Sequence, residues 1–79
     1  MVQNADFSGA DLANASFRNA DLRKADFTGA RMEAANFYEA SLAEAILDNV
    51  VAPKADFTEA VLEGAQAHDA NFEKAVFRY

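Results

Sequence analysis

The chain has 79 residues, with thirteen acidic and seven basic side chains, a net charge of −6 and no cysteine. This length suits one domain, and the missing cysteines exclude a disulfide framework and thiol chemistry. No apolar run is long enough for a secretion signal or a membrane-spanning helix, so the sequence predicts a cytoplasmic protein that does not enter a membrane.

From residue 5 onward, a small residue recurs every five positions and a large apolar residue follows it two positions later. The small position holds Ala5, Ala10, Ala15, Ala20, Ala25, Ala30, Ala35, Ala40, Ala45, Val50, Ala55, Ala60, Ala65, Ala70 and Ala75. The large position holds Phe7, Leu12, Phe17, Leu22, Phe27, Met32, Phe37, Leu42, Leu47, Ala52, Phe57, Leu62, Ala67, Phe72 and Phe77. We number each unit from its small residue, so that positions 1 and 3 are apolar.

A period of five excludes the common amphipathic elements. In a helix, five residues advance about 500°, so successive large side chains would spiral around the axis without forming a stripe. A strand repeats every two residues and fails as well. A short extended piece followed by a corner fits: positions 1 and 3 then point to one side, position 2 points outward, and positions 4 and 5 turn the chain. Repetition of one corner predicts an all-β solenoid.

A spacing of twenty residues, or four units, aligns the remaining regularities. One predicted column contains Phe17, Phe37, Phe57 and Phe77, a second contains Leu22, Leu42 and Leu62, and one corner contains Gly9, Gly29, Asn49 and Asp69. Glycine, Asn and Asp tolerate the positive φ that a tight corner needs, and Pro53 suits the second position of a turn. Val50 and Ala52 exchange volumes within one unit, which keeps the packing constant. The sequence thus predicts four sides.

The units resemble the pentapeptide repeat. Residues 5–9 (Ala-Asp-Phe-Ser-Gly), 10–14 (Ala-Asp-Leu-Ala-Asn), 20–24 (Ala-Asp-Leu-Arg-Lys) and 25–29 (Ala-Asp-Phe-Thr-Gly) carry the likeness, which extends over residues 5–79. The resemblance implies a right-handed quadrilateral β-helix of just under four coils. Residues 1–79 are then one pentapeptide-repeat domain, with a partial unit at 1–4 and fifteen units at 5–79.

The predicted faces differ in charge. The first face comprises units 5–9, 25–29, 45–49 and 65–69, and the second, third and fourth faces begin at residues 10, 15 and 20. The first face carries Asp6, Asp26, Asp48 and Asp69 and no Lys or Arg, whereas the other three mix both signs. No basic stripe forms, so direct nucleic-acid binding is not expected.

The acidic first face allows two interpretations. Some pentapeptide repeat proteins present an acidic rod that type II topoisomerases bind in place of DNA, so the resemblance implies DNA mimicry as an alternative function. A solvated acidic surface is the simpler interpretation. DNA carries one charge per about 1.7 Å, so a stack about 17 Å tall would need about ten charges to match it. The net charge of −6 favours the solvated surface.

The third predicted coil departs from the polar pattern of position 2. Ile46, Val51 and Val61 occupy outward positions there, and Tyr38 projects from the third face. Isolated exposed apolar residues and β-branched side chains are ordinary in strands. Clustered in one layer they also indicate a surface for an unknown protein partner. Neither end has a covering segment, so the sequence also predicts self-association through uncapped ends or a place in a longer chain.

No catalytic residue, cofactor site or metal site is expected. His68 is the one histidine, and it has no second nitrogen or sulfur ligand with which to bind a metal. The sequence contains no glycine-rich phosphate loop and no nucleophile paired with a histidine. The prediction is a non-catalytic structural or protein-interaction solenoid.

Overall fold

The computed structural model describes residues 4–78. The expectations for residues 1–3 of the partial unit and for Tyr79 therefore lie outside the described residues. Within 4–78 the backbone contains no helix and no strand of several residues. It is organised by single-residue parallel β-bridges, which join Asp6 to Asp26, Asp11 to Arg31, Ser16 to Asn36, Asp21 to Ser41, Asp26 to Ile46, Arg31 to Val51, Asn36 to Asp56, Ser41 to Val61, Ile46 to Gln66, Val51 to Asn71 and Asp56 to Val76.

All these bridges connect position 2 of one unit to position 2 of the unit twenty residues later. The hydrogen bonds follow one rule. Amides at positions 3 and 5 donate forward along the chain, as Phe7 does to the Asp26 carbonyl at 2.7 Å. The amide at position 2 donates backward, as Asp26 does to the Ala5 carbonyl at 2.9 Å. Each unit is thereby paired with the units twenty residues before and after it.

The corners are turns with a left-handed residue at position 5. The Ala10 amide donates to the Phe7 carbonyl at 3.0 Å, and Gly9 between them has φ 69°. Positive φ at the third residue of a turn alone is the signature of type II. The sequence predicted such corners at Gly, Asn and Asp. The structure extends them to all fifteen corners at residues 4–74, with φ of 56–73° even at Ala34 and Glu59.

The interior is apolar and closely packed. The buried residues are Leu22, Ala25, Phe27, Ala30, Met32, Ala35, Phe37, Ala40, Leu42, Ala45, Leu47, Val50, Ala52, Ala55, Phe57 and Ala60. No polar or charged residue in 4–78 is buried. Positions 1 and 3 thus point inward together, as the extended segment predicted.

Phenylalanine rings stack along the predicted column. The ring centroids of Phe17 and Phe37 lie 5.1 Å apart, those of Phe37 and Phe57 4.9 Å, and those of Phe57 and Phe77 4.9 Å. Interplanar angles in this column are between 1° and 9°. Parallel rings at this separation contribute favourable contacts beyond their buried area.

The unit 50–54, in which Val and Ala exchange positions, fits the core, but the turn hydrogen bonds on either side of it are longer than the others. Val50 and Ala52 are both buried. The turn hydrogen bonds from Val50 to Leu47 and from Ala55 to Ala52 measure 3.4 Å and 3.3 Å, whereas the other turn bonds measure 2.8–3.1 Å. Pro53 occupies the second position of the latter turn, as predicted, ahead of Lys54 at φ 64°.

Candidate interaction surfaces

The outward residue at position 2 often anchors its own turn. Asp6 accepts hydrogen bonds from the Ser8 amide at 2.9 Å and from the Ser8 hydroxyl at 2.6 Å. Asp26 accepts the same pair from Thr28, and Asp56 accepts it from Thr58. The Ser8 hydroxyl is the main cause that lowers the pKa of Asp6. Each of these carboxylates therefore fixes the geometry of its corner through one oxygen.

The first face brings together its acidic residues from two kinds of position. Asp6 and Asp26 are bridged neighbours at position 2, whereas Asp48 and Asp69 lie in corners. Asp48 accepts hydrogen bonds from the His68 amide and from His68 Nδ1, both at 3.0 Å. The backbone bond is the main cause that lowers the pKa of Asp48. One carboxylate of this face thus already has a histidine partner.

His68 is a surface residue beside Asp48. Its side chain is 75% exposed. Within residues 4–78 no three His, Cys, Asp or Glu residues are close enough together to hold a metal ion.

The apolar residues of the candidate partner surface lie on four different faces. Ile46, Val51 and Val61 occupy position 2 on the first, second and fourth faces, and Tyr38 lies in a corner of the third. Val51 and Val61 are 43% and 48% exposed, and Ile46 and Tyr38 are half-buried. Ile46, Val51 and Val61 lie within residues 45–64, whereas Tyr38 lies within the twenty residues before them, and Ile46 and Val51 belong to successive units.

Tyr38 is part of a polar cluster that the sequence analysis missed. The Tyr38 hydroxyl donates to Glu59 Oε2 at 3.2 Å, and the guanidinium of Arg18 lies 4.9 Å from the ring centroid. The carboxylate of Glu39, followed by that of Glu59, raises the pKa of Tyr38. Arg18 and Tyr38 are twenty residues apart at position 4, so the coil spacing itself was the signal that could have found this pair.

Two of the arginines have side-chain partners. Arg23 makes two hydrogen bonds to Asp21 of its own unit, from Nε at 2.8 Å and from the terminal guanidinium nitrogen at 2.7 Å. The side-chain hydrogen bond from Arg23 is the main cause that lowers the pKa of Asp21 to about 2. Arg18 packs over the ring of Tyr38, so both Arg18 and Arg23 already interact with another side chain.

The described residues enclose no pocket. No cavity is found among residues 4–78, and every buried side-chain polar atom in this range has a hydrogen-bond partner. Among these residues, no helix has the length and apolar character needed to cross a membrane.

Phe77 is the third large apolar side chain with substantial exposure, at 44%, after Val51 and Val61. The sequence analysis had placed Phe77 only in the interior column.

Comparison with solved structures finds several similar folds. A pentapeptide repeat protein from the thylakoid lumen of Arabidopsis thaliana is 32% identical with a TM-score of 0.74, over 94% of this chain and 59% of the other. The pentapeptide repeat protein Rfr23 of the cyanobacterium Cyanothece 51142 is 25% identical with a TM-score of 0.60, over 90% and 46%. HetL, a pentapeptide repeat protein involved in heterocyst differentiation regulation in Nostoc sp. strain PCC 7120, is 26% identical with a TM-score of 0.54, over 96% and 46%.

The chain thus spans about half the length of these proteins. A search of the curated proteins found no match. The family model for pentapeptide repeats matches eight copies, over residues 3–37 and 35–78. These relatives imply a right-handed β-helix, which agrees with the parallel bridges and the inward-facing positions 1 and 3. The chain belongs to the pentapeptide repeat family.

Proposed function

We propose that this chain is a non-catalytic protein-interaction module, built as a quadrilateral β-helix of just under four coils with twenty residues in each. The observation that carries the proposal is an interior filled by apolar side chains, with no cavity among residues 4–78. Small-molecule sites and active sites are concave, and a solid solenoid offers its outer faces instead. Such faces suit macromolecular partners.

The titratable groups support a role without catalysis. Asp6, Asp21 and Asp56 are held by hydrogen bonds from residues of their own units. Catalysis requires convergent groups around a reacting atom, and here the pairs serve local turns. Pentapeptide repeat proteins are in general non-catalytic structural repeat proteins, which agrees with this proposal.

The partner surface that we propose centres on Ile46 and Val51. These residues belong to successive units, so they flank one corner of the solenoid, and Val51 is 43% exposed. Val61 lies on the fourth face of the same coil and Tyr38 on the third face of the coil before it, and both would contact a partner that wraps further around the solenoid. Apolar residues grouped in one layer of an otherwise polar surface mark a site for a protein partner.

The test compares a double variant with a matched control. Ile46→Asp with Val51→Asp places acids at outward positions that Asp6 and Asp26 already show to accept them. The control is Ser16→Asp with Ser41→Asp, at the same position of other units. Proteins cross-linked to the parent in its native extract are identified by mass spectrometry, and each is then measured as a purified pair. Loss of binding in the first variant alone supports the surface, and unchanged binding of every partner overturns it.

A second candidate function is DNA mimicry toward a type II topoisomerase. It is favoured by the first face, where Asp6, Asp26, Asp48 and Asp69 have no Lys or Arg among them. A gyrase supercoiling assay with excess protein tests it: inhibition that Asp6→Asn with Asp26→Asn relieves would support mimicry, and unaffected supercoiling would remove it.

A further inference from the structure

The outward pair Ile46 and Val51 has bridged neighbours on both sides. Each of the two residues is joined to position 2 of the unit twenty residues before it and to position 2 of the unit twenty residues after it. Their surroundings are therefore set by described residues in both directions along the solenoid. The surface that they form does not depend on where the sequence begins or ends.

Opposite charges border one edge of this apolar pair. Asp26 is bridged to Ile46 on the first face, and Arg31 is bridged to Val51 on the second face. Neighbouring strands lie about 4.8 Å apart, so each charge lies one strand spacing from its apolar neighbour. Asp26 and Arg31 belong to successive units, as Ile46 and Val51 do. An acid and a base thus stand side by side along the edge, one on each side of the solenoid corner.

Neither charge has an opposite charge bound to it among residues 4–78. The carboxylate of Asp26 accepts hydrogen bonds from the Thr28 amide at 2.9 Å and from the Thr28 hydroxyl at 2.6 Å, but it forms no ion pair in this range. Arg31 is exposed and forms no ion pair there either, although Glu33 lies two residues later. A partner can therefore supply the opposite charge at both places.

Arg31 gives the second face its sign beside Val51. It is the one cation among the position 2 residues of the first and second faces, all of which are described. The corner that follows Val51 holds Lys54 together with Glu33 and Glu73, so this corner has no strong charge of one sign. The charges that distinguish the two sides of the apolar pair are therefore those of Asp26 and Arg31.

We propose that the partner of this surface is a protein segment whose apolar side chains cover Ile46 and Val51 and whose base and acid border that patch, with the base facing Asp26 and the acid facing Arg31. The proposal rests on the function proposed above, which places the partner on Ile46 and Val51. An apolar centre with a polar rim is the usual composition of a protein interface. The two rim charges fix the orientation of the partner, because the reversed orientation opposes like charges.

Random peptides displayed on phage are the probe. Selection on the immobilised parent, after removal of peptides that also bind the Ile46→Asp with Val51→Asp variant, retains peptides that need this surface. The enriched sequences are expected to contain apolar residues with a Lys or Arg on one side and an Asp or Glu on the other. One enriched peptide is then synthesised, together with a version in which its acid and base are exchanged, and the affinity of each is measured by fluorescence anisotropy.

A charge exchange in the protein tests the assigned orientation. Asp26→Arg with Arg31→Asp exchanges the two charges and leaves the net charge at −6. The Thr28 anchor is lost, but an acid in the second-face column can anchor its own turn, as Asp11 does by accepting from the Ala13 amide at 3.3 Å. The exchange is expected to weaken binding of the selected peptide by about tenfold, because like charges then face each other. The exchanged peptide is expected to bind the exchanged protein better than it binds the parent.

A matched control exchanges charges elsewhere. Asp21→Arg with Arg23→Asp also keeps the net charge and changes one unit of the fourth face, so peptide binding is expected to stay unchanged. Circular dichroism and thermal melting show whether each variant is folded. If the first exchange does not fold, Arg31→Glu takes its place, because this variant keeps the anchor between Asp26 and Thr28 and is expected to weaken binding in the same direction.

The outcomes separate this proposal from the proposed function. Peptides that need Ile46 and Val51 but bind the parent and the exchanged protein equally overturn the charge assignment and leave the partner surface in place. Equal weakening by the control exchange also contradicts the charge assignment. A selection that yields no peptide dependent on Ile46 and Val51 overturns the partner surface and, with it, the orientation.

Discussion

At the scale of single residues, the corners hold side chains in a conformation that glycine prefers. Only Gly9, Gly29 and Gly64 are glycines among the fifteen corner residues, and the others adopt φ near 60° despite a steric cost of about 1–2 kcal/mol each. The hydrogen bonds between coils impose this conformation, because the amide of each interior corner residue donates to a carbonyl of the next coil at 2.6–3.1 Å. The hydrogen bond to the next coil offsets this cost.

We expect Gly29→Ala to destabilise the fold by about 1 kcal/mol through φ alone, because a Cβ at this position meets no atom within 4 Å. Ala34→Gly is expected to change stability in the opposite direction, or to leave it unchanged once the added chain entropy of glycine is counted. Urea unfolding of both variants measures this. Gly64→Ala is the sterically crowded control, since its Cβ would lie 3.2 Å from Glu44 Cγ. An unaffected Gly29→Ala would show that the left-handed corner carries no cost.

The exposed Asp21–Arg23 pair gives a prediction about pH. The hydrogen bond from Arg23 lowers the pKa of Asp21 to about 2 in the folded chain, below its ordinary value of 3.8. A carboxyl whose folded pKa is depressed stabilises the fold above the unfolded pKa, and this contribution is lost as pH falls from about 4 towards 2. Melting temperatures of the parent and Asp21→Asn should therefore differ more at pH 7 than at pH 2, and by little, because exposed pairs contribute little. A difference independent of pH would contradict the assigned pair.

At the scale of elements, the five-residue unit and the twenty-residue column contribute differently to the fold. The unit fixes a local turn, while the column supplies the packing. Phe37 has no exposed surface and stacks on Phe17 and Phe57 with centroids 5.1 Å and 4.9 Å away. A unit removed from its column would bury none of its large side chain. Stability therefore depends on neighbouring coils, as in other repeat proteins.

We expect Phe37→Ala to cost about 3–5 kcal/mol, as for other buried phenylalanines, and to unfold much of so small a stack. Phe77→Ala is the matched control at the end of the same column, where one ring face is covered and the side chain is 44% exposed. Its cost should be distinctly smaller. Thermal unfolding followed by circular dichroism measures both, and equal losses at the two positions would contradict the stacked column.

The sequence predicted the elements better than the contacts between their side chains. The five-residue period and the columns of Phe17 and Leu22 follow from volume and direction alone, and the bridges have the predicted spacing. The backbone conformation at position 5 was harder to predict. Lys54 and Glu59 adopt positive φ only because the hydrogen bonds between coils require it. The contact between Arg18 and Tyr38 depends on side-chain rotamers, which no period encodes.

At the scale of the whole molecule, the account depends on the number of units per coil. The α carbons extend 26 × 25 × 20 Å, and the aromatic columns and the proposed partner surface both assume that residues twenty apart are neighbours. A three-sided coil would instead bring together residues fifteen apart, and a five-sided coil residues twenty-five apart. Every surface described above would then be redistributed, so the twenty-residue coil is the central claim.

Disulfide cross-linking tests this claim most directly, because the chain has no cysteine of its own. Arg31 and Val51 are bridged neighbours on the second face and both are exposed. Adjacent strands lie about 4.8 Å apart, within the range of Cα separations that a disulfide spans. The account predicts that Arg31→Cys with Val51→Cys forms an intramolecular disulfide readily, whereas Arg31→Cys with Ile46→Cys or with Asp56→Cys does not. Preferential cross-linking of either of the latter pairs would contradict it.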